Sequence, residues 1–216
     1  KLRIHWPTLR NMLSNSYPIL IMGLRGMLND QFDKLVLEDL LPVNFYPDKT
    51  PAEALGAYGA CFKISVLMLL AIQAFRYAGE PFFFSRAEDK EAPELFAKVM
   101  HYFTILSVLI LLGVSLNVEL IGDIFLQNHG YKDALYVVPF LLVSKLLFGI
   151  DTNLTVGFKL TDKTKFGTYF SLLGAAITIL GNILLIPVLG YLGCAIASIA
   201  CFLVMCIACY LYGQRY

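Results

Sequence analysis

The sequence has few charged residues, and it lacks the motifs on which most enzymes depend. Only 15% of its 216 residues are charged, whereas soluble domains are nearer a quarter charged. It contains no nucleophile–base pair, no paired catalytic carboxylates, no His-x-x-Glu-His metal motif and no phosphate-binding Gly-Lys loop. The net charge is +1, and no basic stripe carries interleaved aromatic residues. We therefore expect neither an enzyme, nor a metal or cofactor site, nor a nucleic-acid partner.

Hydrophobic residues are abundant instead. They make up 58% of the chain, the mean hydropathy is +0.68, and the charges cluster between long apolar runs. A helix of about 20 apolar residues crosses the roughly 30 Å core of a bilayer. The runs predict an all-α polytopic membrane protein, a single six-helix bundle over residues 1–216. Its approximate spans are 14–41, 55–76, 97–116, 134–158, 166–187 and 192–212.

The connections between these spans differ in chemistry. Residues 42–51 form a proline-rich loop, and residues 85–94 form a charged turn in which Pro93 suits the first turn of the third helix. Residues 119–125 predict a short interfacial helix within a longer connection. A compact basic turn at 159–165 and a tight turn at 187–193 join the last three helices.

The distribution of the 17 cations predicts the orientation, because short cytoplasmic loops are enriched in Lys and Arg. With six crossings and a cytoplasmic N-terminus, the inside holds eleven cations and the outside only Lys34, Lys49 and Lys132. We therefore expect both ends of the chain in the cytoplasm. Because the chain starts at Lys1 without Met and stops as a helix leaves the bilayer, we also expect a fragment of a larger protein. The inside cations are Lys1, Arg3, Arg10, Arg76, Arg86, Lys90, Lys98, Lys159, Lys163, Lys165 and Arg215.

Several residue types are interpreted as structural. Small residues recur every three or four positions in the last two helices, which predicts close packing of their backbones. The cysteines at 206 and 209 have the spacing of a redox or metal pair, but they lie in an uncharged span and are interpreted as small apolar packing residues. The sequon at 153–155 falls at a cytoplasmic helix end and is discounted. Tyrosines near span ends are expected in the headgroup layer, namely Tyr17, Tyr58, Tyr77, Tyr102, Tyr136, Tyr169, Tyr191 and Tyr210.

Charged residues inside the spans are the candidate functional residues. A lone cation at the bilayer centre costs about 3 kcal/mol, so each needs water or a counter-charge. One interpretation is snorkelling or local ion pairing, for example of Arg25 with Asp30 or Asp33. We favour a shared polar cavity in which Arg25, Lys63 and Lys145 form a cationic lumen for an anionic substrate. Residues with a possible coupling or polar-lumen role are Asn29, Asp30 and Asp33.

The chain resembles a known transporter family at several points. Residues 187–198 (PVLGYLGCAIAS) are similar to the Pro-x-x-Gly-x-x-Gly-Ala-Ala-x-Ala turn of polysaccharide-biosynthesis flippases, with Cys194 in place of the usual alanine. These O-antigen and capsule flippases belong to the MATE-like multidrug/oligosaccharidyl-lipid/polysaccharide exporter superfamily. Residues 55–64 and 75–83 resemble the start and the cytoplasmic end of that family's eighth helix. Residues 17–20 with Asp33 and Lys34 resemble its seventh.

The resemblance implies one lobe of a two-lobed transporter in the bacterial inner membrane, corresponding to helices seven to twelve. Its partners would be the bilayer, the missing N-terminal lobe and the substrate, an undecaprenyl-pyrophosphate-linked oligosaccharide. The lobes would translocate this lipid by alternating access during surface polysaccharide synthesis. Two alternatives stay open: a cation-coupled multidrug exporter of the same superfamily, and a non-transporting scaffold of a polysaccharide assembly complex.

Overall fold

The computed structural model describes residues 31–47, 49–86, 92–126, 129–160 and 164–213, together with positions 6, 9–10, 12, 16–17 and 20. Regular structure in these residues is entirely helical, which confirms the predicted all-α class. Residues 31–40 form α1. The remaining elements are α2 (Pro51–Ser85), α3 (Ala92–Leu116), α4 (Val118–Phe125), a 3₁₀ helix (His129–Val137), α5 (Val138–Leu160), α6 (Thr164–Leu189) and α7 (Tyr191–Gly213).

Five segments of the described part of the chain are long and apolar enough to cross a bilayer. They coincide with the last five predicted spans, and they make the chain a multi-pass membrane protein by length and composition. The first predicted span, 14–41, falls largely outside the described residues, so the sixth crossing stays a prediction. The five segments are Pro51–Phe83, Ala92–Leu116, Gly130–Val156, Tyr169–Leu189 and Tyr191–Leu211.

The helices extend beyond the apolar runs because local signals at their ends set the boundaries. At the start of α2, the Thr50 hydroxyl accepts a hydrogen bond from the Glu53 N–H (3.3 Å), and the Glu53 carboxylate accepts one from the Thr50 N–H (2.8 Å). This capping box satisfies two backbone donors and begins the helix at Pro51, four residues before the predicted span. At its C-terminal end, α6 continues through Pro187 to Leu189. The turn predicted at 187–193 is therefore reduced to the single residue Gly190, whose φ of 59° suits glycine.

Two helices form the centre of the bundle. Half of the most apolar stretch is buried in α5 and in α7, compared with 17% in α3 and 22% in α6. Helix α7 packs along α6 and α5, and both α2 and α3 also pack on α5. The outer faces of α3 and α6 expose large apolar residues to the surroundings, as expected for surfaces covered by lipid. These include Ile105, Leu106, Leu109, Leu112, Leu172, Leu180, Ile183 and Leu184.

Three connections that were predicted on the same side of the membrane lie together at one end of the bundle. Lys49 Nζ is 3.3 Å from Asp133 Oδ2, which joins the loop before α2 to the 3₁₀ helix. The Tyr46 ring stacks on that of Tyr191 at the start of α7, with centroids 4.6 Å apart. The predicted helix at 119–125 is present as α4. The contacts fix the mutual placement of these connections.

The close packing predicted for the last two helices is seen at several of its small residues. A Cβ atom added to Gly181 would lie 2.9 Å from that of Ala197, and one added to Gly193 would lie 2.5 Å from the Leu185 carbonyl oxygen. The Cys201 thiol donates to the Gly174 carbonyl across the same interface (3.3 Å), so this cysteine packs between the helices. Backbones this close leave no room for larger side chains.

Candidate functional site

The candidate site begins with an aspartate in α1. Asp33 is 1% exposed although it is an acid. The Tyr58 hydroxyl of α2 donates a hydrogen bond to Asp33 Oδ2, and the backbone N–H of Lys34 donates to Oδ1 (2.8 Å). Because a buried carboxylate without partners is strongly destabilising, these donors are what allow Asp33 to lie between helices.

A lysine from the centre of the bundle approaches the same place. Lys145 lies near the middle of the apolar segment Gly130–Val156 and is 2% exposed. Its Nζ is 4.6 Å from the ring centroid of Phe62, and it interacts electrostatically with Asp33. Lys34 Nζ lies 3.4 Å from the same ring centroid. Ammonium groups are attracted to aromatic faces by about 0.5–2 kcal/mol, so Phe62 helps to hold both cations.

We refer to Asp33, Lys34, Tyr58, Phe62 and Lys145 as the charge cluster. It joins α1, α2 and α5 at a depth where the helices are otherwise apolar. With one carboxylate and two ammonium groups, the cluster carries a formal charge of +1. It therefore offers positive charge to an anion that could displace the carboxylate.

The six residues predicted for the site fall into three groups. Asp33 and Lys145 come together in the charge cluster. Lys63 is exposed on α2, one residue after Phe62, and is not among the residues that contact the cluster. No hydrogen bond or ion pair joins it to any residue in the described part of the chain. Arg25, Asn29 and Asp30 lie outside the described residues, so their part in a common lumen stays a prediction.

Three buried polar residues, of which Tyr58 belongs to the site, were missed at the sequence level. Tyr58 was assigned to the headgroup layer with other tyrosines, but it is fully buried and donates to Asp33. Tyr191, assigned in the same way, is 2% exposed. Asp151 of α5 is fully buried, and the Cys209 thiol lies 3.7 Å from its Oδ1. An acid inside the apolar run of 134–158 was the signal that could have identified Asp151.

The chain was compared with protein-family models, with curated proteins and with solved structures. None of them matches it. The resemblance to polysaccharide flippases therefore stays a prediction.

The charge cluster contains a buried carboxylate and a buried ammonium group that interact electrostatically. Burying a pair of opposite charges costs solvation free energy that their attraction offsets only in part, so such pairs contribute little net stability. Removing one partner is costly, because the other is then left buried without compensation.

Proposed function

We propose that this chain is one lobe of a flippase that moves an undecaprenyl-pyrophosphate-linked oligosaccharide across the bacterial inner membrane for surface polysaccharide synthesis. The single observation that carries the proposal is the burial of Lys145, which is 2% exposed and lies over the Phe62 ring within an apolar segment. The lipid carrier itself is taken from the family resemblance. The cation distribution supports cytoplasmic ends and a cytoplasmic loading side.

In this mechanism the substrate pyrophosphate competes with Asp33 for the cations of the cluster. At an effective dielectric of about 20, a unit pair near 4 Å is worth roughly 4 kcal/mol before desolvation. Contacts with Lys145 and Lys34 would offset part of the cost of drawing the pyrophosphate into the bundle. Displacement of Asp33 would free α1 from α5, and the lobes could then rock into the alternate state. The predicted contribution of Arg25 is a planar fork for phosphate oxygens. Lys63, exposed on α2, would meet the substrate or the missing lobe from the outer face.

The second candidate is cation-coupled export by a drug transporter of the same superfamily. Asp33 favours it, because a buried carboxylate is the group that a coupling proton or metal cation would occupy. In that mechanism the Asp33 carboxylate is essential, and Lys145 affects how readily the carboxylate binds the coupling cation. The third alternative is a scaffold without transport activity, in which the charge cluster only holds helices together. In none of the three does the chain catalyse a reaction.

Complementation of a strain that lacks the gene tests the proposal. Full-length Lys145→Ala should give no surface polysaccharide when it is compared with the wild type at matched amounts of folded, membrane-inserted protein, because loss of the lysine also destabilises the bundle. Lys132→Ala is the matched control, because Lys132 pairs with Asp123 (2.5 Å) at the end of the bundle and away from the cluster. Wild-type polysaccharide from Lys145→Ala at wild-type protein level would exclude the flippase mechanism and leave the scaffold. Loss from Asp33→Asn alone, with Lys145→Ala active, would favour the cation-coupled exporter.

A further inference from the structure

One face of α2 is left open by the other described helices. Lys63, Leu67, Leu70 and Ala74 are exposed along it, and Gly59 lies one turn before Lys63 on the same side. These five residues follow one another at steps of three or four, so they form one strip along the helix. A Cβ atom added to Gly59 would meet no neighbouring atom within 4 Å among the described residues, so this end of the strip is open. We refer to the five residues as the outer strip of α2.

Lys63 is the one charged member of the outer strip. Between Glu53 and Arg76, α2 carries no other charged residue. Lys63 lies ten residues after Glu53 and thirteen before Arg76, roughly 15 Å and 20 Å along the helix. A lysine side chain is too short to bring its ammonium group to either end of this stretch. Because a lone cation in the apolar interior of a bilayer is strongly unfavourable, Lys63 requires a counter-charge at its own level.

The outer faces of α3 and α6 differ from the outer strip of α2. Over residues 105–112 and 172–184, their exposed side chains are uncharged and mostly large and apolar, which suits contact with acyl chains. The outer strip combines a cation with the small residues Gly59 and Ala74, and small residues let a second helix backbone approach closely. Acyl chains cannot neutralise Lys63. The strip therefore suits an acidic helix better than it suits lipid.

A second copy of this chain does not supply the counter-charge from the part that the structure describes. Exposed carboxylates in that part lie in the first or last turn of α1, α2 and α3, or in the connection from 117 to 137. The carboxylates deeper in the bundle, Asp33 and Asp151, are almost completely buried and cannot reach a neighbouring copy. Packing of two outer strips on each other would bring two Lys63 side chains together, and like charges repel.

We propose that the outer strip of α2 binds a transmembrane helix from outside these 216 residues, and that an Asp or Glu of this helix forms an ion pair with Lys63. The carboxylate complements the lysine, and Gly59 and Ala74 allow the two backbones to come close. Pairing leaves neither charge alone in the membrane, which favours the docked state over separation. The inference does not rest on the proposed transport, because the helix would dock on a transporter lobe and on a scaffold alike.

Photo-crosslinking in native membranes tests the docking surface. A diazirine analogue of leucine replaces Leu67, which lies one turn after Lys63 and is 39% exposed, in the full-length protein. Mass spectrometry should map its crosslinks to a transmembrane peptide that contains Asp or Glu and lies outside these 216 residues. The matched control carries the analogue at Leu109, which is 60% exposed on α3 and should crosslink only lipid. Crosslinks from position 67 to lipid alone, to a helix without a carboxylate, or to these 216 residues would overturn the proposal.

Charge variants then test the ion pair at matched amounts of folded protein. Lys63→Glu should lower crosslinking from position 67 about tenfold, because two carboxylates would face each other, whereas Lys63→Arg should keep most of it. Changing the carboxylate of the mapped helix to lysine should restore crosslinking in the Lys63→Glu variant. Unchanged crosslinking in Lys63→Glu, or no restoration by the reciprocal change, would overturn the pairing. Surface polysaccharide enters neither readout, so a failure here is distinguishable from a failure of the flippase mechanism.

Discussion

The Tyr58 hydroxyl on α2 donates a hydrogen bond to the Asp33 carboxylate on α1, and both side chains are almost completely buried. This contact joins two helices that are connected by the proline-rich loop. It also provides a neutral donor to a carboxylate that lies near two cations. Asp33 is thus positioned by Tyr58, which carries no charge. Mutation can therefore separate the contribution of this hydrogen bond from the contribution of the two cations.

Replacing Tyr58 by Phe tests this positioning. The substitution keeps the ring and removes only the donor, so Asp33 loses one buried hydrogen bond. We expect a loss of about 1–3 kcal/mol in the free energy of unfolding, measured as a lower melting temperature in detergent. Tyr77→Phe is the control, because Tyr77 is 73% exposed. Equal melting temperatures for the two variants would contradict a role of Tyr58 in holding Asp33.

The second prediction concerns the close packing of α6 on α7, which larger side chains should disrupt. Gly193→Leu should sharply reduce folded protein, because even a Cβ would overlap the Leu185 carbonyl, which is backbone and cannot move aside. Gly174→Leu should cost less, about 1–3 kcal/mol, since its nearest neighbour is the flexible Met205 side chain (3.0 Å). Gly113→Leu on α3 has open space and should melt like the wild type. If Gly193→Leu also melts normally, the close approach of the helices is wrong.

The third prediction concerns the orientation of the chain in the membrane. The contact between the loop before α2 and the 3₁₀ helix supports it. Single cysteines at Asp48 or Lys132, in a cysteine-free background, should react with an impermeant thiol reagent added outside cells whose outer membrane is permeabilised. Cysteines at Asp89 or Lys163 should not react. The Lys49–Asp133 ion pair requires the first two sites to share a side of the membrane. If Asp48 and Lys132 were labelled from opposite sides of the membrane, the arrangement of the bundle would be wrong. The reverse labelling pattern would show that the predicted orientation is wrong.

The sequence was a good guide to the helices and a partial guide to the site. Whether a segment can cross a bilayer depends mainly on its length and composition, so the last five spans were predictable. The position of a helix end depends on local hydrogen bonds, such as the Thr50 capping box, which an apolar window does not register. Hence α2 was placed correctly but drawn too short at both ends.

The site was harder to predict because burial depends on neighbours that a single helix does not reveal. Lys63 and Lys145 look alike in sequence, each a lysine within an apolar run. In the structure Lys145 is buried over the Phe62 ring and interacts electrostatically with Asp33, whereas Lys63 is exposed. Tyr58 was misplaced for the same reason, because its position near a helix end suits both the headgroup layer and a buried partner.

The last prediction separates a structural role of the charge cluster from a transport role. Asp33→Asn removes the buried carboxylate that accepts hydrogen bonds from Tyr58 and the Lys34 backbone and that interacts electrostatically with Lys145. By analogy with other buried pairs, we expect a destabilisation of about 3–5 kcal/mol. The double variant Asp33→Asn with Lys145→Met removes both charges and keeps the volume of the lysine stem. It should recover most of the melting temperature, because an apolar replacement of a buried pair is often neutral or stabilising.

The double variant should be about as stable as the wild type, so its melting temperature cannot distinguish a structural role of the charge cluster from a transport role. A transport assay can. If the cluster receives a substrate anion, the double variant should be stable and inserted yet should give no surface polysaccharide, because the central cation is gone. Reversing the order of the pair, with Asp33→Lys and Lys145→Asp, restores both charges and should recover more activity than the double neutral variant. A wild-type amount of polysaccharide from the double neutral variant would show that the two charges only compensate each other in the fold and are not required for transport. The scaffold would then be the leading interpretation of this bundle.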